Sequence, residues 1–254
     1  MQEFTPGGFG FPSPFSKSSP RFTARIAGAL YLTYIAVTAL GTYLRSTLIN
    51  GNVASTAQNI VANPWVLRVA FVTDVVSGVL FLLAAWTLFV LLRPVNGNYA
   101  IAFLLLNLAG VSVQCANTLN LFASLQVLTD SSYQTVFSPS QVQAMAMNDL
   151  NLYNNGFMIA QVFFGTWLFP LGYLVYKSRF LPRAIGGLLL VDGIAVLFWF
   201  SQYFLLPSYS VLSYPGLALS FIAEFGLAVW LVVKAVPDTA RSPADPGGAH
   251  ASSG

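Results

Sequence analysis

Charged residues are scarce in this chain. Lys and Arg number 11 and Asp and Glu number 8 among 254 residues, or 7% in all, whereas a soluble domain carries about 25%. A soluble domain of this length needs a charged exterior, which so few charges do not supply. This scarcity argues against a soluble globular protein and favours a chain whose solvent is lipid.

Cysteine and histidine are scarcer still. Cys115 is the sole cysteine and lies in an apolar run, so there is no disulfide framework and the thiol is interpreted as a small hydrophobe. His250, the sole histidine, lies near the C-terminus. The apolar segments therefore lack the histidines that Ser-His hydrolases, His-ligated haem sites and zinc proteases require.

Several cofactor and nucleic-acid signatures are also missing. The sequence has no phosphate-binding loop, no dinucleotide fingerprint and no pair of aspartates four residues apart within a helix. The net charge is +3, but the basic residues are scattered and form no Lys/Arg-rich run. We therefore predict no cofactor, no metal and no nucleic-acid partner.

Long apolar stretches dominate the rest of the chain, and six are long enough to cross a hydrocarbon core of about 30 Å as helices. They cover residues 24–44, 65–92, 99–127, 152–176, 184–206 and 215–236. The prediction is an all-α integral membrane bundle of six transmembrane helices over residues 24–236. Residues 1–23 and 237–254 are predicted to be disordered tails because they are rich in Gly, Pro and Ser.

Lys and Arg predict the orientation, because cytoplasmic loops carry an excess of them. Arg45 and Arg68 lie on one side, and nine basic residues lie on the other. We therefore predict a plasma-membrane protein with both termini in the cytoplasm. Residues 45–64 and 128–151 connect spans on the outer side and are long enough to include short interfacial helices. The Asx-rich residues 148–155 are interpreted as the start of the fourth span.

Ionisable residues within spans usually face a bundle interior, and besides Asp74 in the outer part of the second span two carboxylates fall deep within spans. Asp192 lies nine residues beyond Arg183 and Glu224 nine beyond Pro215, on helices of opposite direction. Both should therefore lie near the midplane. If they face each other, one should keep a proton at neutral pH and serve as a buried acid or proton relay. The alternative is that each is simply protonated and hydrogen-bonded to a neighbouring helix.

The outer half of the predicted bundle is richer in polar side chains than the inner half. This pattern suggests an outer vestibule that narrows towards the two carboxylates and binds a ligand. The candidate ligand-binding residues are Arg45, Arg68, Asp74, Gln114, Asn117, Asn120, Asn154 and Gln161. The alternative is that the amides hold helices together and that Arg45 pairs with Asp74 as an ordinary anchor.

Short motifs over residues 25–236 resemble a family of bacterial multi-pass membrane proteins known as domain of unknown function 4386. The matching motifs are Arg25-Ile-Ala-Gly-x-Leu-Tyr-Leu, Leu91-Leu-Arg-Pro-Val-Asn, Asn117-Thr-Leu-Asn-Leu, Phe163-Phe-Gly, Leu171-Gly-Tyr-Leu-Val-Tyr-Lys-Ser and Leu181-Pro-Arg-x-x-Gly-x-Leu-Leu. Members of this family often carry a histidine shortly after Phe-Phe-Gly, where this chain has Thr166 and Trp167. The resemblance implies a membrane fold but no activity.

Three functions are compatible with these patterns. The first is binding or translocation of a small amphipathic molecule through an outward-facing cavity, with Glu224 and Asp192 as proton-linked groups. The second is a membrane enzyme in which these carboxylates act on an apolar, isoprenoid-like or lipid-like substrate. The third is an accessory subunit without catalysis. The expected partners are the bilayer, a small amphipathic or apolar ligand, and a membrane protein or a second copy of the chain.

Overall fold

The computed structural model describes residues 19–234, and the structured part consists of helices without any strand. Six of these helices are long and apolar enough to cross a membrane, as predicted. The elements are α1 (Pro20–Leu48), α2 (Val53–Ala62), α3 (Pro64–Leu92), α4 (Gly97–Thr129), α5 (Ser131–Val136), α6 (Pro139–Lys177), α7 (Arg183–Leu205), a 3-10 segment (Pro207–Ser213) and α8 (Tyr214–Val233). The predicted C-terminal tail and most of the N-terminal one lie outside the described residues.

Local capping explains where the helices begin. Ser19 accepts a hydrogen bond from the Phe22 amide and precedes a proline at the first helical position, so α1 starts before the predicted residue 24. Ser138 and Gln141 form a capping box that starts α6. The interpretation of residues 148–155 as a helix start was therefore wrong, because they lie inside α6.

Neighbouring spans are antiparallel, and glycine permits the closest approaches between them. The most extensive contacts join α4 to α6, α1 to α3 and α6 to α7, while α8 lies against α1 and α7. A Cβ atom on Gly186 would come within 2.6 Å of the backbone nitrogen of Tyr176, so only glycine fits this crossing. A Cβ on Gly28 would meet the Ala228 carbonyl oxygen at 2.7 Å, where α1 crosses α8.

The core consists of two apolar clusters at different depths. The inner cluster lies towards the ends predicted to be cytoplasmic and includes Tyr31, Phe81, Leu88, Trp167 and Leu171. The outer cluster lies at the opposite end and joins α2 to α3, α4 and α6. At about 1.5 Å per residue the 39 residues of α6 exceed a hydrocarbon core of about 30 Å, so its first turns reach beyond the apolar layer. Polar side chains occupy the level between the two clusters.

The two connections predicted to lie on the outer side contain the short helices expected from their length. The helix α2 buries Thr56, Ala57 and Ile60 along one face, which joins it to the outer cluster. The helix α5 buries no residue, and α6 follows it almost immediately. The outer end of the bundle is therefore covered by protein, mainly by α2 and the beginning of α6.

Candidate functional site

A central cavity of about 170 Å³ lies at the level between the two apolar clusters. The helices α1, α3, α4, α6 and α8 all contribute to its wall. The polar side chains that line it are Thr38, Asp74, Ser77, Gln114, Gln161 and Glu224. Asp74 and Glu224 come from α3 and α8, and counting residues from the helix ends places Asp74 nearer the predicted outer face.

The outer carboxylate, Asp74, is fully partnered within the protein. Arg45 donates from Nη1 to Asp74 Oδ1 at 2.5 Å, and the Tyr153 hydroxyl donates to Oδ2 at 2.7 Å. The Arg45 guanidinium carbon also lies 5.4 Å from the centre of the Tyr153 ring. Gly41 allows α1 to approach, because a Cβ there would lie 3.1 Å from Asp74 Oδ1. Asp74 thus ties α1, α3 and α6 together beside the cavity.

The inner carboxylate, Glu224, has a different environment. The hydroxyl of Tyr31, a fully buried residue of α1, donates to Glu224 Oε2. Within residues 19–234 the only ion pair joins Arg45 to Asp74, so no basic side chain neutralises Glu224. A charge in such a place is expensive unless it binds a proton or a cation.

Asp192 lies close to Glu224 but outside the cavity lining. The Ser220 hydroxyl, one helical turn before Glu224 on α8, donates to Asp192 Oδ1. Asp192 is fully buried and its Oδ2 has no hydrogen-bond partner. Because Ser220 and Glu224 lie one turn apart on α8, Asp192 is a near neighbour of Glu224. The structure therefore brings together the predicted pair, but only Glu224 faces the cavity.

Two of the predicted amides line the cavity, and a third, Asn117, joins two helices beside it and binds the fourth, Asn120, on its own helix. Gln114 Oε1 is buried without a hydrogen-bond partner, and Gln161 is 9% exposed. Asn117 donates to the Tyr153 carbonyl at 2.8 Å, and this hydrogen bond links α4 to α6. Asn117 also accepts from Asn120, on the same helix, at 3.1 Å. Gln114 and Gln161 can therefore serve a ligand, whereas Asn117 and Asn120 are engaged in packing.

Arg68 and Asn154 lie outside this constellation. Arg68 is exposed, and its guanidinium carbon lies 5.9 Å from the centre of the Phe122 ring. Asn154 is also exposed, and it is the next residue, Asn155, that reaches another helix by accepting from the Tyr203 hydroxyl at 3.1 Å. Both candidates have the expected depth but point away from the cavity.

Sequence reasoning missed the aromatic part of the wall. The Tyr34 and Phe81 rings stack with centroids 4.2 Å apart, and Trp167 meets Phe81 edge-on at 5.0 Å. Tyr31 and Tyr34 are one turn apart on α1, a spacing that places both on one face. That spacing was the available signal, but aromatic residues are too common along these spans for it to stand out.

Comparison with known proteins decides the family. A model of the domain of unknown function DUF4386 matches residues 26–235. The chain belongs to the DUF4386 family. An uncharacterized protein of Archaeoglobus fulgidus is 31% identical to this DUF4386 protein over 93 residues, which are 35% of the chain and 51% of the relative. The match thus spans about half the length of that relative, and no solved structure matches the chain.

Proposed function

We propose that this DUF4386 protein binds a small amphipathic molecule in the central cavity and carries it across the plasma membrane. In this proposal both termini are cytoplasmic, the cavity receives its ligand from the outer side, and Glu224, the one of the two predicted carboxylates that lines the cavity, links binding to protons. The observation that carries it is the cavity itself, which has polar groups at two levels and aromatic rings between them. Unpartnered polar atoms beside apolar surface are what an amphipathic ligand can satisfy.

The inner side of the cavity is closed by densely packed side chains. Leu88, Leu168 and Leu171 are each completely buried, and Trp167 is 1% exposed. On the opposite side the cavity ends at Arg45, Asp74 and Tyr153, which are joined by polar contacts. The outer cluster and α2 cover this end as well, but the wall next to the cavity contains polar contacts that water screens, which supports access from the predicted outer side.

The size of the cavity disfavours the enzymatic alternative. An engineered cavity of about 150 Å³ in another protein holds benzene, whereas pockets for drug-sized ligands occupy about 300–1,000 Å³. A cavity of about 170 Å³ suits a benzene-sized molecule and is too small for an isoprenoid or an acyl chain. The accessory-subunit alternative predicts no ligand in the cavity at all.

The first test uses a variant that fills the cavity. Ser77 lines it and is 8% exposed, whereas the adjacent Val76 is 44% exposed on the surface that faces lipid. We expect Ser77→Leu to abolish thermal stabilisation by any small amphipathic compound that stabilises the native protein, and Val76→Leu to preserve it. A ligand at 100 times its Kd stabilises by about 2.7 kcal/mol, which a thermal-shift assay detects. Equal stabilisation of Ser77→Leu and the native protein would refute a ligand in this cavity.

Transport requires a second measurement in sealed vesicles. We expect the compounds that stabilise the protein to accumulate or leave at a rate that follows the imposed proton gradient, and Glu224→Gln to lose this dependence. Turnover in detergent without a gradient would favour the enzyme. A partner protein that remains bound after mild extraction, together with no ligand, would favour the accessory subunit.

Labelling of introduced cysteines tests access and orientation. Because Cys115 is the sole cysteine, Cys115→Ala supplies a cysteine-free background. We expect Gln161→Cys to react with a membrane-impermeant thiol reagent added outside intact cells, and Val76→Cys to remain unlabelled. Labelling of Gln161→Cys only from the cytoplasmic side would overturn the proposed direction of access.

A further inference from the structure

The charges around the cavity do not balance. Asp74 and Glu224 line it, and Asp192 lies behind Ser220, so three carboxyl groups surround the site. Arg45 is the one basic side chain in contact with any of them, within the described ranges of α1 to α8, and it is paired with Asp74. When Glu224 is ionised, the site therefore lacks a positive charge.

This shortage disfavours anionic ligands. An anion would need a free cationic or strongly donating group in the wall, but Arg45 already donates to Asp74 and to the Thr42 hydroxyl, at 2.5 and 3.1 Å. An anion would also be repelled by ionised Glu224. The polarity of the site thus favours a ligand that brings its own positive charge.

The wall also indicates which type of cation fits. No group of three His, Cys, Asp or Glu side chains that could hold a metal ion occurs in the segment from residue 19 to residue 234. Aromatic rings instead form much of the surface, and the faces of such rings attract organic cations. The aromatic side chains of the wall are Tyr34, Phe81, Tyr153, Phe157, Phe164 and Trp167.

We infer that the ligand of this cavity is a small organic monocation, with its ammonium group at Glu224 and its apolar body against the aromatic wall. The inference rests on the proposed function and names the chemical class of its ligand. Gln114 Oε1, which is buried and without a hydrogen-bond partner, supplies an acceptor for a second N–H of the ammonium group. At about 170 Å³ the cavity has room for an amine about the size of benzylamine.

Proton and ligand then compete for one carboxylate. A proton on Glu224 removes the charge that holds the ammonium group, so binding weakens as the pH falls. The titratable groups around Glu224 are Tyr31 and Tyr34 on α1 and Asp192 on α7, with Asp74 on α3 and Tyr153 on α6 across the cavity. The tyrosines do not ionise in acid, and Asp74 is ion-paired with Arg45 across the cavity. Asp192 is therefore the neighbour whose protonation must be distinguished from that of Glu224 when binding weakens in acid.

The test compares three probes of similar shape on the full chain in lipid nanodiscs. Benzylammonium carries a positive charge, benzyl alcohol is neutral and benzoate is negative. We expect benzylammonium to bind at least tenfold more tightly than benzyl alcohol at pH 8, with benzoate not binding. Its affinity should fall by about tenfold for each pH unit once Glu224 begins to take up a proton. Calorimetry is the readout.

Variants separate Glu224 from its neighbours. Glu224→Gln should bind benzylammonium at least tenfold more weakly and without pH dependence, while its affinity for benzyl alcohol stays within threefold of the native value. That second result shows that the cavity is intact. Asp192→Asn should keep the preference for benzylammonium and its pH dependence.

Three outcomes would overturn the inference and can be told apart. If benzyl alcohol binds as tightly as benzylammonium and Ser77→Leu abolishes both, the cavity binds ligands but does not select cations, and the proposed function survives. If no probe binds and Ser77→Leu changes nothing, both the cation inference and the proposed function fail. If the pH dependence of benzylammonium binding disappears in Asp192→Asn and persists in Glu224→Gln, the proton belongs to Asp192 and the role given to Glu224 is overturned.

Discussion

The two carboxylates that line the cavity differ in how the protein satisfies them. Asp74 has an arginine on one oxygen and a tyrosine hydroxyl on the other, so its charge is neutralised within the fold. Glu224 receives one hydroxyl, from Tyr31, and no basic side chain among the described residues. Both lie at the cavity wall, yet only one of them needs something from outside the protein.

Depth in the membrane therefore does not by itself define a functional carboxylate. Asp74 behaves as a structural group, because its partners come from α1 and α6 and hold those helices against α3. Glu224 is the group left available for a proton or a ligand. Substitutions at the two carboxylates and their partners should therefore differ in their effects on stability.

Removing Arg45 should destabilise the fold most. Arg45→Ala leaves Asp74 without its cation at a buried position, and breaking a buried pair in this way costs about 3 kcal/mol or more. Replacing both partners, as Arg45→Met with Asp74→Leu, should recover much of that loss. Equilibrium unfolding in mixed micelles measures both effects. A loss of under about 1 kcal/mol in Arg45→Ala would show that Asp74 is not held structurally.

The tyrosines should have smaller and unequal effects. Tyr31→Phe removes the hydrogen bond that Glu224 receives, and the loss should be about 1–2 kcal/mol. Tyr153→Phe removes a bond from Asp74, which keeps Arg45, so a loss of about 1 kcal/mol is expected. The same unfolding assay ranks the two variants. If Tyr153→Phe is the more damaging, the two carboxylates are not distinguished as we describe.

Glu224→Gln should change stability by less than about 1 kcal/mol. The amide oxygen still accepts the Tyr31 hydroxyl, and no ion pair is lost. Asp74→Asn is the matched comparison and should cost more, because it removes the charge that faces Arg45. Similar unfolding curves for these two variants would contradict the distinction between a structural and an available carboxylate.

An exposed carboxylate supplies the reference case and the smallest effect. Asp130 caps α5 by accepting from the backbone N–H and the hydroxyl of Ser132, at 2.9 and 2.6 Å, which lowers its pKa from the ordinary 3.8. A lowered pKa in the folded state means that the contribution is present at neutral pH and is lost as the pH falls through that pKa.

Hydrogen exchange across residues 131–136 measures this effect. Protection of the α5 amides from exchange should decrease only at pH values below 3.8, the ordinary pKa of an aspartate. Asp130→Ala should abolish this pH dependence of protection. Asp130→Asn keeps a capping oxygen and should retain most of the protection at every pH. Loss of protection in the native chain near neutral pH would show that another group controls this end of the bundle.

The sequence was sufficient for the spans because their apolar length is a strong signal. It also predicted that Asp192 and Glu224 lie at similar heights on two neighbouring helices, since residues rise by a fixed distance along a helix, and Ser220 of α8 indeed contacts Asp192 of α7. It did not determine how each helix is rotated about its own axis. Most of the spans are apolar on every face, so no polar face indicates which side of the helix turns inward. The positions of Arg68 and Asn154 along their helices therefore did not reveal that both side chains are exposed. Asp74 and Gln161, chosen by the same reasoning, line the cavity.

The start of α6 was missed for a different reason. Residues 148–155 contain several Asn side chains, which favour helix starts, and this local preference suggested a boundary that the fold overrides. Ser138, Pro139 and Gln141 carry the actual start signal, a capping box with proline at the first helical position. The aromatic wall arises from contacts among three helices, which no local pattern specifies.

Infrared difference spectroscopy of the carboxyl groups tests whether Glu224 exchanges a proton for the ligand, because it reports which carboxylate gains or loses a proton. Adding benzylammonium to the native protein should remove the band of one protonated carboxyl group. That change should be absent from Glu224→Gln and present in Asp192→Asn and in the doubly substituted Arg45→Met, Asp74→Leu chain. A band that persists on binding, or that disappears equally in Glu224→Gln, would contradict the account that Glu224 exchanges a proton for the ligand.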